Sequence, residues 1–215
     1  MNYEFFQLIN NMSRMNPILD QFMIYLVKFS APAMAVLVAV LLALGLYTKD
    51  KDLTHNVIHA LLLLSCTLGI HYLIGFFYAE PRPFVTHTVH LLLPHSANPS
   101  FPSTHAMGMS AITLSLFAVY KRLGVILIIL TSLTGFAKIF VGHHYPMDVI
   151  GGFIIAYILY LWYNTFIKDN ITPYLKNPKH IKTALINSLK RSVFFIRESQ
   201  RPLTEQLVKH SSYPK

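Results

Sequence analysis

Lys138-Ile139-Phe140-Val141-Gly142-His143-His144-Tyr145-Pro146-Met147-Asp148 joins two strongly apolar segments, and its reading decides the fold. Residues 124–141 precede or overlap it and residues 149–167 follow it, each close to the length a helix needs to cross a hydrocarbon core of ~30 Å. A cation, two histidines and a carboxylate therefore sit where one span turns into the next. Outward along the chain lie three more apolar segments, at 21–47, 57–79 and 106–120. The segment at 106–120 is short for a bilayer and is expected to extend back to Ser103. The sequence thus predicts an all-α, polytopic transmembrane bundle of five spans.

Composition agrees. Of 215 residues, 53% are hydrophobic and 13% charged, against about 25% charged in a typical soluble domain. The mean hydropathy is +0.46. The net charge of +9 does not point to nucleic acid, because ten of the eighteen Lys and Arg lie between Lys168 and Lys215. A basic tail beside a bilayer reads as cytoplasmic topology and attraction to anionic lipid. The lone Cys66 lies in a leucine-rich run and reads as a packed small residue. Residues 1–20 show no cleavable leader pattern and are expected to form an interfacial segment. Residues 21–170 form the expected transmembrane catalytic domain. Residues 171–215 form a basic C-terminal segment, either an interfacial helix or a sixth span over 171–196, with a frayed end.

Charge placement orients the spans. Lys49 and Lys51 follow the first, Lys121 and Arg122 the third, and the basic tail the fifth. Placing all of these in the cytoplasm puts the 80–102 and 142–148 connections on the outer face. Lys28, near the outer end of the first span, is read as snorkelling to the interface, with a buried partner or a phosphate contact as alternatives.

Three stretches on that outer face carry chemistry. Tyr78-Ala79-Glu80-Pro81-Arg82-Pro83 presents Arg82 from backbone stiffened by prolines, and a guanidinium can fork two phosphate oxygens. Phe101-Pro102-Ser103-Thr104-His105 reads as the start of a helix. There Ser103 or Thr104 can cap, exposed amides favour an anion, and His105 is placed to protonate a leaving group. Lys138 is one of few charges inside an apolar segment, and His144 and Asp148 are four apart, so the carboxylate can fix the histidine tautomer. His143 is a competing nucleophile without that carboxylate spacing. No zinc-type cysteine cluster, glycine phosphate loop or nucleotide fingerprint is present.

Arg82-Pro83, Pro102-Ser103-Thr104-His105 and Lys138-x5-His144-x3-Asp148 resemble the three signatures of the type 2 phosphatidic-acid phosphatase superfamily. The fuller strings Glu80-Pro81-Arg82-Pro83-Phe84-Val85, His87-Thr88-Val89-His90 and Val141 to Asp148 are similar to bacterial undecaprenyl-diphosphatases of the bacitracin-resistance type. The resemblance implies a hydrolase that turns undecaprenyl diphosphate into undecaprenyl phosphate and phosphate, recycling the cell-wall lipid carrier and giving bacitracin resistance. It implies that His144 attacks phosphorus to give a phosphohistidine, oriented by Asp148. His105 then protonates the leaving group and later activates water. Arg82, Ser103, Lys138 and the backbone near Thr104 hold the transferring phosphoryl oxygens. No metal or other cofactor is implied. The partners expected are a polyprenyl diphosphate and membrane lipid, with no nucleic acid and a homodimer left open.

Three departures from the broad pattern stand out: Gly75 where a lysine is usual, Ala137-Lys138 for a common Ser-Arg pair, and Thr104 where Gly or Asp is frequent. Lys138 keeps the charge but not the fork. The alternatives are a phosphatase for phosphatidylglycerol phosphate, phosphatidate or a shorter isoprenyl diphosphate, or a lipid transporter or scaffold without turnover.

Overall fold

The computed structural model describes residues 1–176, and every described element is helical. The helices are α1 (Asn2–Asn10), α2 (Pro17–Tyr47), α3 (Lys51–Phe77), the single turn α4 (Pro83–Thr86), α5 (Thr104–Val119), α6 (Lys121–Phe140) and α7 (Pro146–Tyr163). A π-helical turn, Asn164–Lys168, leads into α8, Asp169–Lys176. One compact unit covers Met1–Asp169 and a second begins at Asn170. The interfacial helix or sixth span expected over 171–196 falls outside the described residues from 177 onward.

Local chemistry sets the boundaries. Asn16 Oδ1 accepts from the amides of Ile18 (2.9 Å) and Leu19 (3.2 Å), and Pro17 supplies the first helical φ of α2. Asp50 caps α3 by accepting from Leu53 N at 3.0 Å. Only Tyr120 separates α5 from α6, which keeps the two antiparallel and adjacent.

Among the described residues, four helices are long and apolar enough to cross a membrane: α2, α3, α6 and the one that begins at Pro146. The remaining expected span, α5, has 16 residues, about 24 Å of helix. Its surroundings explain how so short a helix is accommodated. Residues Ala106, Met107, Gly108, Met109, Ser110, Ala111, Ile112 and Thr113 are all buried, because α5 packs among α3, α6 and α7. A helix enclosed by protein need not match the hydrocarbon thickness.

Lipid tails are as apolar as leucine, so association within a bilayer rests on close packing and interhelical polar contacts. Gly152 shows the closeness: a Cβ there would lie 2.9 Å from Ala106 Cβ and 3.2 Å from the Ser103 carbonyl. The core around Met34, Val38, Val57, Met109, Leu116 and Leu127 joins α2, α3, α5 and α6. Polar glue is present too, as in Thr113 Oγ1 to Thr131 Oγ1 (2.9 Å) and His59 Nδ1 to Tyr163 Oη (2.8 Å).

The N-terminal helix docks at the end of the bundle that carries all three motifs. Phe6 is buried edge-on against Tyr145, with ring centroids 5.7 Å apart, and Tyr3 stacks on His87 at 3.8 Å. Asn10 Nδ2 donates to the carbonyls of Phe140 (2.8 Å) and His90 (2.9 Å), and its Oδ1 accepts from His90 N (2.9 Å). Phe5 and Leu8 on α1 remain exposed.

Candidate active site

The end of α3, the start of α5, the end of α6 and the start of α7 meet at one end of the bundle, where three distant sequence stretches come into hydrogen-bond contact. Gly142 makes the turn after α6 at φ +91, a conformation that favours glycine, and a Cβ there would approach the His90 carbonyl to 3.0 Å. That turn drops His143 and His144 into the protein. Pro146 then starts α7, and Tyr145, its N-cap, donates its amide to Asp148 Oδ2 at 2.8 Å.

The expected histidine–carboxylate pair forms. His144 Nδ1 lies 3.3 Å from Asp148 Oδ2, with the two side chains 3% and 0% exposed. Nε2, on the opposite edge, is 3.0 Å from Arg82 Nη1. Burial, reinforced by the charges of Arg82 and Lys138, holds the His144 imidazole well below its ordinary pKa of 6.5. At neutral pH the ring is neutral. A carboxylate at Nδ1 and a guanidinium N–H at Nε2 select the tautomer with its proton on Nδ1 and its lone pair on Nε2.

Arg82 is 3% exposed and fastened on several sides. Nε donates to the Asn98 carbonyl (3.1 Å) and Oδ1 (2.9 Å), Nη1 to the His143 carbonyl (2.9 Å), and Nη2 to the Pro99 carbonyl (3.3 Å). Burial lowers its pKa to about 10, with Asp148 working the other way, so it stays charged at neutral pH. Lys138 is likewise 3% exposed, and among the described residues no carboxylate pairs with it. Two buried cations, each felt by His144, against the single buried carboxylate Asp148 leave an excess of positive charge suited to an anion.

The other expected residues distribute less evenly. Ser103 is the N-cap of α5 but its hydroxyl makes no capping bond; the buried Oγ has no protein partner, while the backbone N–H donates to the Asp148 carbonyl at 3.0 Å. The expected hydroxyl cap is therefore absent at Ser103. Thr104 Oγ1 is bonded to His71 Nε2 at 2.9 Å, which leaves the α5 backbone as its means of meeting an anion. His105 is partly exposed at the mouth of an apolar cavity of about 400 Å³ between α2, α3 and α5, whose walls include Ala35, Ala39, Leu64 and Met109. His143, the competing nucleophile, points elsewhere. Its Nε2 is tied to the Leu93 carbonyl at 3.0 Å and its ring meets His95 edge-on at 4.5 Å. Burial takes its pKa down to about 3.

One group in contact with the pair was not legible as such in the sequence. Ser100 is fully buried, and its Oγ donates to Asp148 Oδ2 at 2.5 Å and lies 3.4 Å from His144 Nδ1. It stands immediately before Phe101, the first residue of the second stretch, in a polar proline-containing loop where a serine reads as turn chemistry.

Buried cations, a histidine oriented by a carboxylate and an apolar cavity lined by His105, in a bundle of membrane-crossing helices, define a multi-pass membrane phosphatase acting on lipid. Comparison with known proteins agrees. The PAP2 superfamily profile matches residues 56–172, and the chain belongs to that superfamily. It is 39% identical over 191 residues to "Undecaprenyl-diphosphatase BcrC" of Bacillus subtilis, covering 89% of this chain and 96% of that one. Among solved structures, Aquifex aeolicus LpxE superposes with a TM-score of 0.62 at 29% identity, covering 77% of this chain and 95% of that one. The transmembrane PAP2-type phosphatidylglycerolphosphate phosphatase of Bacillus subtilis shares the fold at a TM-score of 0.60 and 19% identity, covering 78% and 86%.

Proposed function

We propose that this phosphatase removes the terminal phosphate of undecaprenyl diphosphate through a phosphohistidine on His144, on the outer face of a bacterial cell membrane. The observation that carries the mechanism is the His144 ring, held at Nδ1 by Asp148 while Nε2 faces Arg82. In the first step Nε2 bonds to the terminal phosphorus and the bridging P–O bond breaks. Its electron pair leaves on the lipid monophosphate oxygen, which takes a proton from His105. Asp148 stabilises the positive charge that develops on the ring. Arg82, Lys138, Ser103 Oγ and the first amides of α5 meet the charge on the equatorial oxygens. In the second step His105 takes a proton from water, whose oxygen attacks phosphorus, and His144 departs as the neutral imidazole.

The substrate assignment draws on the similarity to the Bacillus subtilis undecaprenyl-diphosphatase and on the apolar cavity that opens beside His105. The outward orientation is supported by Lys49, Lys51, Lys121 and Arg122 at the opposite ends of the spans. An outward enzyme of this kind regenerates the lipid monophosphate and removes the diphosphate that bacitracin binds, which is the basis for resistance. Every charge in the scheme is met by a side chain or an amide, so the reading calls for no cofactor.

The test is phosphate release from undecaprenyl diphosphate in liposomes containing EDTA. Wild type is expected to turn over, His144→Ala is not, and acid-labile phosphate should be trapped on the wild-type protein alone. Turnover by His144→Ala refutes the nucleophile. Faster turnover of phosphatidylglycerol phosphate or phosphatidate than of the prenyl diphosphate moves the substrate to that lipid and leaves the mechanism standing.

A further inference from the structure

Residues 98–100 belong to none of the three motifs, yet they touch both halves of the pocket. Asn98 offers Arg82 two acceptors, its carbonyl and its Oδ1, and Pro99 offers a third. Ser100 meets Asp148 and His144 from the other side. The Ser100 amide also donates to the Glu80 carbonyl at 2.7 Å, two residues before Arg82, so the segment is pinned to the stretch it supports. We infer that residues 98–100 act as a positioning clamp that sets the nucleophile His144 against the phosphate-gripping Arg82, Ser100 controlling the first and Asn98 the second. The inference rests on the phosphohistidine reading above.

The hydrogen-bond inventory gives each arm its own consequence. A serine hydroxyl has one proton, and at 2.5 Å that proton goes to Asp148 Oδ2. The Ser100 lone pairs are then available to the His144 Nδ1–H, which is shared between Oδ2 at 3.3 Å and Oγ at 3.4 Å. Both contacts are longer than the usual ~2.7–3.2 Å, so the ring direction depends on the pair of acceptors together. Asp148 Oδ1 is buried without a partner, so Oδ2 alone holds the carboxylate, through Ser100 and the Tyr145 amide. Without the hydroxyl, the carboxylate can rotate about that single amide bond and carry the ring with it. Arg82 keeps its charge in that case, and substrate binding is spared. Loss of the Asn98 side chain does the reverse: it takes away Oδ1, the nearer of the two acceptors of the guanidinium Nε, leaves only the backbone carbonyl at 3.1 Å, and keeps the Ser100 bond to Asp148 in place.

The two arms are told apart by kinetics on the full-length membrane protein. Ser100→Ala should slow the rate constant of phosphoenzyme formation, measured per active site by rapid quench. A drop of about 10–100-fold is expected, since misplacement on the order of 1 Å can cost ~10²-fold, with KM within about twofold of wild type. Ser100→Thr, which keeps the hydroxyl, should recover most of that rate. Asn98→Ala, at an exposed position, should instead raise KM and the inhibition constant for inorganic phosphate by roughly 3–10-fold, with the phosphorylation rate at saturation within about threefold. A purely structural role for Ser100 predicts a smaller burst amplitude and lower melting temperature at an unchanged rate constant, and that result overturns the clamp. So does an Asn98→Ala enzyme with wild-type KM and phosphate inhibition. If His144→Ala still turns over, the phosphohistidine reading itself has failed. An inactive His144→Ala beside a normal Ser100→Ala rate means that the clamp alone has failed.

Discussion

At the scale of the residue, the division of labour between two histidines is set by their surroundings. His144 is sealed between a carboxylate and a guanidinium, whereas His105 sits partly exposed on the wall of an apolar cavity. Replacing His105 by alanine should slow phosphoenzyme formation from a lipid diphosphate by ~10²–10⁴-fold, the usual worth of a general acid. The deficit should shrink for an aryl phosphate whose leaving group needs no proton, and an equal loss on both substrates would remove His105 from that role. Arg82, His105, His144 and Asp148 were legible in sequence because each is a charged or titratable group at the edge of an apolar segment. Ser100 was not, because its partners lie 44 and 48 residues away and nothing local distinguishes it from a loop serine. Ser103 misled in the opposite direction: its position before a helix suggests a cap, but its hydroxyl makes no capping bond.

At the scale of the element, the short N-terminal helix is the unexpected support of the site. α1 touches the catalytic turn from three points: Asn2 Oδ1 accepts from Met147 N at 3.2 Å, Phe6 packs on Tyr145, and Asn10 holds the Phe140 carbonyl. Asn10→Ala leaves two carbonyls and one amide without this partner at a buried position, a loss of about 1–3 kcal/mol. The expected outcome is a lower melting temperature together with faster hydrogen exchange in residues 140–144. Unchanged exchange there would show that α1 does not brace the turn. The apolar spacing of residues 3–9 indicates a helix with one greasy side, but sequence alone cannot say whether that side meets lipid or protein. Asn10's partners, 80 and 130 residues distant, settle it for Phe6 and leave Phe5 and Leu8 outside.

At the scale of the whole molecule, buried neutral histidines tie stability to pH. His143 and His144 both have folded-state pKa values below the ordinary 6.5, the first at about 3. Well above pH ~6.5 neither the folded nor the unfolded chain protonates them, and their contribution to stability is fully present. Below that, the unfolded chain takes up protons that the folded chain refuses, so stability falls with falling pH by up to about 1.4 kcal/mol per unit for each histidine. Melting temperature in detergent should hold level from pH 8 to about 7 and decline toward pH 5, with a shallower decline in His143→Gln. A level or rising profile toward pH 5 contradicts this accounting. The order of the apolar segments and the gathering of the motifs at one end could be read from hydropathy and charge. The enclosure of the short α5 by its neighbours could not, since periodicity does not report which helix ends up enclosed.

That enclosure has a mechanical consequence. Membranes vary in thickness by several ångströms, and helices that border lipid answer by tilting or bending. His105 rides on α5, a helix whose first half is wrapped by protein. Stretching or thinning of the bilayer is therefore absorbed by α2, α3, α6 and α7 before it reaches the depth at which His105 stands. The reaction is kept at a fixed depth by the bundle and insulated from the elasticity of the membrane that delivers its substrate.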